Sequence, residues 1–382
     1  MGNPPIITTS ERRAFKRCPQ RWWWEYREGL RRSEMSTALW FGIGIHEALA
    51  HYYGNTGYKR NLDFVDVWRN YCATNEISLV LKASPDGFAE DEEWINAERL
   101  GETMLLGHHE KFGGDPDWDV VYTEEPFAIG IPHPSDPDED IVIFNSTFDG
   151  VYRDRTTRKF SLMEHKTAKA ITVDHLPLDD QGGSYWAVAS IVLRDKGILK
   201  RGQAIDSITY NFLRKGLPDE RPKDSAGYAT NKPIKAHYQA AIDAAGISFP
   251  YTYGDGSKVT QAEVSKMTLA QLSEFAADLG LTVLGDRSAV QPPPLFERHV
   301  VYRTRAEQRT QINRIASEAL AMEQFREGTL PLYKNPTRDC HWDCAFFNMC
   351  QLHDQSSDWE EFRDAVFMRR DPYDRYRLLK SS

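Results

Sequence analysis

The stretch Phe148-Asp149-Gly150-Val151-Tyr152 and, after a polar turn, Lys159-Phe160-Ser161-Leu162-Met163-Glu164-His165-Lys166 decide the fold. The pattern of both segments predicts β-strands, and the turn at 154–158 predicts that the two strands pair as a hairpin. Because side chains alternate between the two faces of a strand, Glu164 and Lys166 point the same way. His165 points away and leaves only its backbone carbonyl near them. With Asp149 on the neighbouring strand, two carboxylates converge on one side of a sheet.

This arrangement predicts a site for a hard divalent cation. Carboxylate and carbonyl oxygens suit Mg²⁺ or Mn²⁺, and a neighbouring lysine can hold or polarise a water molecule beside the ion. The alternative is a surface hairpin with a salt bridge between Glu164 and Lys166. Such patterns are common in any chain, so the spacing alone leaves both interpretations open.

Length and composition limit the class of protein. The 382 residues, 41% of them hydrophobic, can bury a large core in one domain or two. The formal net charge of −9 argues against a protein that coats nucleic acid, so any such contact needs a local basic patch. A patch is present near the N-terminus, and it fits either nucleic-acid contact or a solvated helix face. Its residues are Arg12, Arg13, Lys16, Arg17, Arg21, Arg27, Arg31 and Arg32.

Two classes of function are excluded by missing motifs. The sequence has no signal-like apolar segment near Met1 and no apolar run that could span a bilayer, so we expect a soluble, cytoplasmic protein with no membrane partner. It also lacks a phosphate-binding loop of the G-x-x-x-x-G-K-[ST] type, which argues against an ATP-driven motor.

The N-terminal third is predicted to be helical. Ser10 is the expected cap of a helix from Glu11, which Pro19 breaks next to Cys18. A further helix places His46 on an apolar stripe, where a histidine is more often a core residue than a ligand. Other helical patterns cover the segment around Trp68 and residues 92–111, and a proline-rich loop is expected at 132–138.

The second half predicts an α/β core. A helix at 178–197 would connect the Glu164 strand to a parallel strand at 207–213, and it carries Gln181 and Tyr185 one turn apart. These two side chains fit either a phosphate or base contact or an ordinary helix face. A last strand is expected at 297–303, followed by a long amphipathic helix. We therefore predict a single domain, 1–382, with a helical part (1–135), a core (136–215), an insertion (216–294) and a C-terminal segment (295–382).

Three of the five cysteines are close together, in the pattern Cys340-x3-Cys344-x5-Cys350. Thiolates bind soft or borderline metals, so these residues predict an iron–sulfur or zinc site that needs a fourth ligand. Cys18 is the best candidate; His341 or His353 would suit zinc, and Cys72 is a weaker choice. The alternative is a set of free core cysteines.

Taken in order, these motifs resemble the RecB-like branch of the PD-(D/E)XK nuclease superfamily, in particular the CRISPR-associated, cysteine-clustered exonucleases that bacteriophages also carry. The resemblance covers most of the chain. It implies an α/β fold with a restriction-endonuclease-like sheet flanked by helices and with terminal segments joined by a cysteine-ligated cluster. The motifs are Cys18-Pro19, His46, Phe148-Asp149-Gly150, Glu164-His165-Lys166, Gln181 with Tyr185, and the closing cysteines.

The resemblance also implies an activity and its residues. His46, Asp149, Glu164 and the carbonyl of His165 would hold Mg²⁺ or Mn²⁺, Lys166 would assist the nucleophile, and Gln181 and Tyr185 would position DNA. The implied protein is a metal-dependent DNA exonuclease of recombination, repair or DNA processing, acting on single strands or duplex ends, with a helicase or recombinase as candidate partner.

The same resemblance assigns a 4Fe–4S cluster to Cys18, Cys340, Cys344 and Cys350. The family pattern ends C-x2-C-x5-C, and the departure here leaves structural zinc as an alternative. A competing class is a non-catalytic iron–sulfur DNA-binding or recombination accessory protein. The intact Asp149, Glu164 and Lys166 favour the enzyme.

Overall fold

The structure is a computed structural model, and it describes residues 4–32, 37–54, 64–74 and 88–377, with side chains of the helix at 88–112 described from residue 96 onward. Contacts divide the chain into two units. The larger comprises Met1–Gly216 and Phe296–Ser382, and the smaller comprises Leu217–Leu295.

Ten strands are present in the described residues. They are β1 (Ile6–Ile7), β2 (Leu30–Arg32), β3 (Trp118–His133), β4 (Asp136–Asp154), β5 (Phe160–Ala168), β6 (Ile205–Arg214), β7 (Tyr251–Thr252), β8 (Lys258–Val259), β9 (Phe296–Tyr302) and β10 (Phe367–Arg369). The central sheet has six of them, in the order β1-β4-β5-β6-β9, with β3 also paired to β4. The β1–β4 and β5–β6 pairs are parallel and the others antiparallel, so the sheet is mixed.

The helices are α1 (Thr9–Arg17), α2 (Pro19–Trp22), α3 (Thr37–Tyr53), α4 (Phe64–Thr74), α5 (Phe88–Phe112), α6 (Asp180–Asp195), α7 (Lys235–Ala244), α8 (Gln261–Lys266), α9 (Leu269–Asp278), α10 (Arg305–Arg326), α11 (Cys340–Asp343), α12 (Phe347–Asp354), α13 (Trp359–Val366) and α14 (Asp374–Arg377). A π-helical turn covers Trp23–Arg27, and a 3-10 turn covers Leu176–Leu178. Among the described helices, none combines the length and apolar character needed to cross a membrane.

The hairpin predicted around Asp149 and Glu164 is present. β4 and β5 are antiparallel, with Gly150 opposite Met163. The Asp154 side chain accepts a hydrogen bond of 2.6 Å from the backbone N–H of Thr157 and so stabilises the connecting turn. Leu162 and Met163 pack into cores on opposite faces of the sheet, so both faces of β5 are covered at this point.

The prediction of a loop at 132–138 is wrong. β3 and β4 form a long hairpin, with Ile131 opposite Val142 and His133 opposite Asp136, so this segment is a tight turn between two strands. The sequence analysis overlooked β3 because its register with β4 is irregular near Val120 and near Pro132, which disrupts the alternation that marks a strand.

The crossover predicted between the parallel strands β5 and β6 is α6. Its first turn lies close to the sheet. A Cβ atom at Gly182 would lie 2.1 Å from the Tyr210 hydroxyl, so only glycine allows this approach. The Asp179 side chain accepts a hydrogen bond of 2.8 Å from Gly182 N and caps the helix.

The first helix begins earlier than expected. Thr8, and not Ser10, is its N-cap, because the Thr8 hydroxyl accepts a hydrogen bond of 3.1 Å from Glu11 N. Cys18 then ends α1 and precedes α2, whose first residue is Pro19. The proline break therefore places Cys18 at a junction of helices, as predicted.

The N-terminal and C-terminal segments of the larger unit pack together. β2 pairs with β10, where Arg31 lies opposite Met368. Trp24, Phe346 and Met349 share a small core beside this pair. The smaller unit has its own core, built around Ile242, Val259, Val264, Leu272 and Phe275.

Candidate functional site

Three potential metal ligands meet on the sheet. One ligand atom from each of His46, Glu124 and Asp149 lies within 4.8 Å of the others, and this is the one such group in the part of the chain that the structure describes. His46 Nδ1 is 3.4 Å from Asp149 Oδ1 and 3.7 Å from Glu124 Oε1. One imidazole and two carboxylates are a suitable set for Mn²⁺ or Mg²⁺.

Three elements position this cluster, which we call the metal-ligand cluster. His46 comes from α3, and Asp149 and Glu124 come from the paired strands β4 and β3. The register pairs Thr123 with Gly150 and Glu125 with Phe148, so Glu124 and Asp149 lie opposite each other. Glu124 has a φ of 46°, a left-handed conformation that is uncommon outside glycine and often found at functional sites.

The charges of these groups are coupled. Burial by itself lowers the pKa of His46, but the charges and hydrogen bonds of Asp149 and Glu124 outweigh it and raise the pKa to about 10. Burial by itself raises the pKa of Asp149, and the neighbouring His46 holds it below its ordinary value. A proton on His46 therefore offsets one of the two negative charges, and a cation bound to Nδ1 would have to displace that proton.

Glu164 and Lys166 lie next to the metal-ligand cluster and bind each other. Lys166 Nζ donates a hydrogen bond of 2.7 Å to Glu164 Oε1. Burial and the negative charge of Asp149 raise the pKa of Glu164, against the opposing effect of Lys166. Burial lowers the pKa of Lys166, but Glu164 more than compensates. Glu164 is not one of the three closely spaced ligands.

Gln181 and Tyr185 extend this chain of hydrogen bonds along α6. Lys166 Nζ donates to Gln181 Oε1 at 3.2 Å, and Gln181 Nε2 donates to the Tyr185 hydroxyl at 3.4 Å. Ser146 Oγ also donates to the Tyr185 hydroxyl, at 2.8 Å. The structure thus brings together Glu164 and Lys166 from β5 with Gln181 and Tyr185 from α6.

His165 supports the cluster through its backbone. Its N–H donates a hydrogen bond of 2.7 Å to Asp149 Oδ2. Its ring stacks on Tyr53 with centroids 5.8 Å apart and lies edge-on to the His46 ring with centroids 5.7 Å apart, and Asn211 Nδ2 lies 2.9 Å from His165 Nδ1. The prediction that the His165 side chain points away from Glu164 and Lys166 is consistent with these contacts.

A buried polar network continues behind His165. Arg298 Nε donates to Asn211 Oδ1 at 3.0 Å, and the same guanidinium donates to Asp115 and to the Tyr53 hydroxyl. Asn211 Nδ2 is also 3.0 Å from Nε2 of the buried His108. This network fixes the position of the strand that carries Glu164, and no motif in the sequence indicated it.

The metal-ligand cluster opens into a cleft with a volume of about 1010 Å³. Its lining is mostly hydroxyl and apolar groups and, in the described residues, includes no lysine or arginine. The lining residues include Thr8, Thr9, Ser10, Leu39, Gly42, Ile43, Thr123, Ser146, Thr147, Thr167, Gln181, Tyr185 and Tyr376.

The N-terminal basic patch is largely structural. Arg12 is fully buried and bonds Glu318 at 2.6 Å and Asp180 at 3.2 Å. Lys16 is paired with the same two carboxylates. Arg12 is therefore not available to a nucleic acid, because its side chain is fully buried.

Four cysteines line a second cavity, of about 160 Å³, which we call the cysteine cavity. They are Cys18, Cys340, Cys344 and Cys350. Backbone N–H groups of Asn335 and Thr337 donate to the sulfur atoms of Cys18 and Cys340 at 3.4 Å and 3.3 Å. Burial raises the pKa of Cys344 and of Cys350. Among the described residues, no three of these sulfur atoms lie within 4.8 Å of one another.

One residue of the metal-ligand cluster was missed in the sequence. Glu124 belongs to Thr123-Glu124-Glu125, which has no recognisable motif. Only the pairing of β3 with β4 brings it to Asp149, and the sequence analysis did not predict β3.

A mixed sheet flanked by helices, with a candidate metal-ligand cluster next to a Glu-x-Lys triplet, is typical of metal-dependent nucleases. The sequence matches the family model of the PD-(D/E)XK nuclease superfamily over residues 7–351, and the chain belongs to that superfamily. The superfamily predicted from the motifs is confirmed. No curated protein matches the sequence.

Proposed function

We propose that the protein is a metal-dependent DNA exonuclease in which the metal-ligand cluster and the adjacent Glu164–Lys166 pair form the active site. The observation that carries the proposal is the approach of His46, Glu124 and Asp149 to within 4.8 Å of one another at the cleft. These donors fit Mg²⁺ or Mn²⁺, with the imidazole favouring Mn²⁺. Glu164 and the His165 carbonyl are the further ligands that the family resemblance implies.

The reaction is hydrolysis of a phosphodiester. A water oxygen forms a bond to phosphorus, the bond from phosphorus to the leaving oxygen breaks, and that oxygen takes up a proton. His46, Glu124 and Asp149 would hold the divalent cation, which would supply positive charge at the scissile phosphate and lower the pKa of a nearby water. Lys166, held by Glu164 and Gln181, orients the attacking water by donating a hydrogen bond to it.

Gln181 and Tyr185 position the DNA strand. Both line the cleft, and each already belongs to the hydrogen-bonded chain that ends at Lys166. A phosphate oxygen that enters the cleft can accept a hydrogen bond from the Gln181 amide or from the Tyr185 hydroxyl.

The test is incubation of the purified protein with end-labelled linear DNA and with circular DNA, in Mn²⁺ and in EDTA. We expect mononucleotides or short fragments to be released from linear DNA only, and only with the metal present. Asp149→Asn should abolish release, whereas Asp138→Asn, an exposed position on the same strand, should not. DNA binding by the parent without cleavage in either metal would replace the proposal with a non-catalytic DNA-binding protein.

The cysteine cavity holds a 4Fe–4S cluster in this proposal. Four thiols around one cavity, two of them accepting backbone N–H hydrogen bonds, suit a group that requires thiolates.

Metal analysis of anaerobically purified protein tests the cluster. We expect a brown protein that contains iron, and Cys18→Ala should lose both iron and colour. Cys72→Ala is the matched control, because Cys72 is buried but lies outside the cysteine cavity. Zinc without iron in the parent would establish a structural zinc site instead.

A further inference from the structure

The described lining of the cleft lacks the basic side chains that would attract a polyanionic substrate. Its lining contains no lysine or arginine among the described residues, and the chain has a formal net charge of −9. Phosphate contacts with basic side chains supply most of the affinity of proteins for nucleic acids. A nuclease with this cleft therefore needs cations close to its rim.

Two lysines lie together beside the cleft. Lys215 directly follows β6, and its N–H donates a hydrogen bond of 2.7 Å to the carbonyl of Ala168 at the end of β5. Lys169 is the next residue after Ala168 and is exposed. Burial, and then the positive charge of Lys169, lower the pKa of Lys215. The backbone hydrogen bond to Ala168 therefore places Lys169 and Lys215 on neighbouring strand ends.

This lysine pair adjoins the lining of the cleft. Lys215 Nζ lies 4.8 Å from the ring centroid of Phe41, the residue before Gly42. Gly42 and Thr167 both line the cleft, and a Cβ atom at Gly42 would lie 3.6 Å from Thr167 Oγ1. Thr167 is two residues before Lys169 in the chain. The pair therefore lies where α3 meets the carboxyl ends of β5 and β6.

Neither lysine has a carboxylate partner among the described residues, although many other basic side chains do. Lys159, for example, is paired with Asp206 at 2.9 Å, and Lys196 is paired with Glu125. Two unpaired like charges held side by side are unfavourable unless an anion binds between them.

We propose that Lys169 and Lys215 form a phosphate-binding subsite that holds the DNA backbone next to the scissile phosphate. The proposal rests on the proposed nuclease function and adds to it the path of the strand, which leaves the metal-ligand cluster past Thr167 and runs over the ends of β5 and β6. The ligand is a backbone phosphodiester, so the contact carries no base specificity.

The experiment measures binding separately from cleavage. The affinity of the full-length protein for a labelled single-stranded oligonucleotide and for the matching duplex is measured by fluorescence anisotropy in EDTA over a range of salt concentrations. We expect the double variant Lys169→Met, Lys215→Met to bind more weakly and to show a reduced dependence of log K on log salt. The magnitude of this negative slope should decrease by about 0.7 per lost phosphate contact on a single strand and by about 0.9 on a duplex.

Matched variants separate this effect from misfolding. Lys215→Arg keeps the charge and should keep the parent slope. Lys200→Met removes an exposed lysine in the loop before β6, at the other end of that strand, and should also keep it. Circular dichroism verifies that each variant is folded.

The outcomes separate the subsite from the nuclease activity. A slope and an affinity in the double variant equal to those of the parent would overturn the subsite, as would a parent that does not bind DNA at all. A parent that binds with the expected slope but does not cleave in Mn²⁺ would leave the subsite standing and overturn the proposed function.

Discussion

Lys166 is the residue whose role can be tested most directly. It donates hydrogen bonds to both Glu164 and Gln181, and we expect it to orient the attacking water rather than to bind the cation. Lys166→Met should lower the cleavage rate by about 10²-fold or more while leaving the affinity for Mn²⁺ within a few-fold of the parent. Single-turnover kinetics and a Mn²⁺ titration measure the two effects. Undiminished cleavage would remove Lys166 from the active site.

Asn211 is the residue that connects the active-site strand to the buried network. Its amide contacts His165, His108 and Arg298, all at 2.9–3.0 Å. Asn211→Leu would remove the amide partner of the buried His165 and His108 rings and one of the hydrogen bonds of Arg298, and we expect a loss of about 1–3 kcal/mol in the free energy of unfolding. Because His165 N–H holds Asp149, the affinity for Mn²⁺ should also fall.

Asn145→Leu is the matched control for that variant. Asn145 is fully buried on β4, and its side-chain atoms have no hydrogen-bond partner in the described part of the structure. Its replacement should cost less stability than that of Asn211, as measured by urea denaturation. Equal losses in the two variants would argue against a specific role for the network.

At the scale of the elements, the contact between α6 and β6 sets the position of Gln181 and Tyr185. Gly182→Ala would place a methyl group 2.1 Å from the Tyr210 hydroxyl, and Gly183→Ala would place one 3.3 Å from the more adaptable Arg303 guanidinium. We expect Gly182→Ala to destabilise the protein by about 1–3 kcal/mol and to lower the cleavage rate. Gly183→Ala should cost less, since alanine also favours the helix. Thermal melts of the two variants test this order.

The packing of α1 on α6 and α10 predicts a dependence on acid. Burial by itself raises the pKa of Asp180, but Arg12 and Lys16 outweigh it and lower the pKa to about 2. The corresponding unfolded value is about 3.9, so this carboxylate stabilises the fold fully above that pH. The contribution is lost as the pH falls from about 4 toward 2.

Asp180→Asn tests that contribution. The variant should melt at a lower temperature than the parent near neutral pH, and its Tm should fall less steeply than that of the parent between about pH 4 and about pH 2. Asp138→Asn, at an exposed position, should follow the parent. Parallel curves of Tm against pH for Asp180→Asn and the parent would show that the ionised Asp180 does not stabilise the fold.

At the scale of the whole molecule, the proposed cluster would join Cys18 to a segment more than three hundred residues further along the chain. Closing so long a loop restricts the unfolded chain, by analogy with a disulfide, and contributes on the order of several kcal/mol. Cys18→Ala should therefore lower the Tm more than Cys72→Ala does. Complete unfolding is not expected, because β2 and β10 also pair the two segments. Equal melting temperatures of Cys18→Ala and Cys72→Ala would show that the cysteine cavity does not contribute to global stability.

Much of the core could be predicted from local sequence. Alternation in β4 and β5 predicted the hairpin that carries Asp149 and Glu164, and the helical pattern after residue 178 predicted the crossover α6. The broken helix at Pro19 correctly placed Cys18 at a helix end. These features depend on residues close together in the chain, where side-chain periodicity and backbone preferences suffice.

The sequence by itself determined the superfamily, the Asp149, Glu164 and Lys166 strands and the cysteine spacing, because each is a short pattern of chemically distinct residues. Only the tertiary structure decided that Glu124 joins His46 and Asp149, that Arg12 is buried, and that Lys169 lies beside Lys215. Each of these contacts joins elements that are distant in the chain or depends on strand register and packing. A shift of one residue in the pairing of β3 with β4 would turn Glu124 to the other face of the sheet, and no local pattern specifies that register.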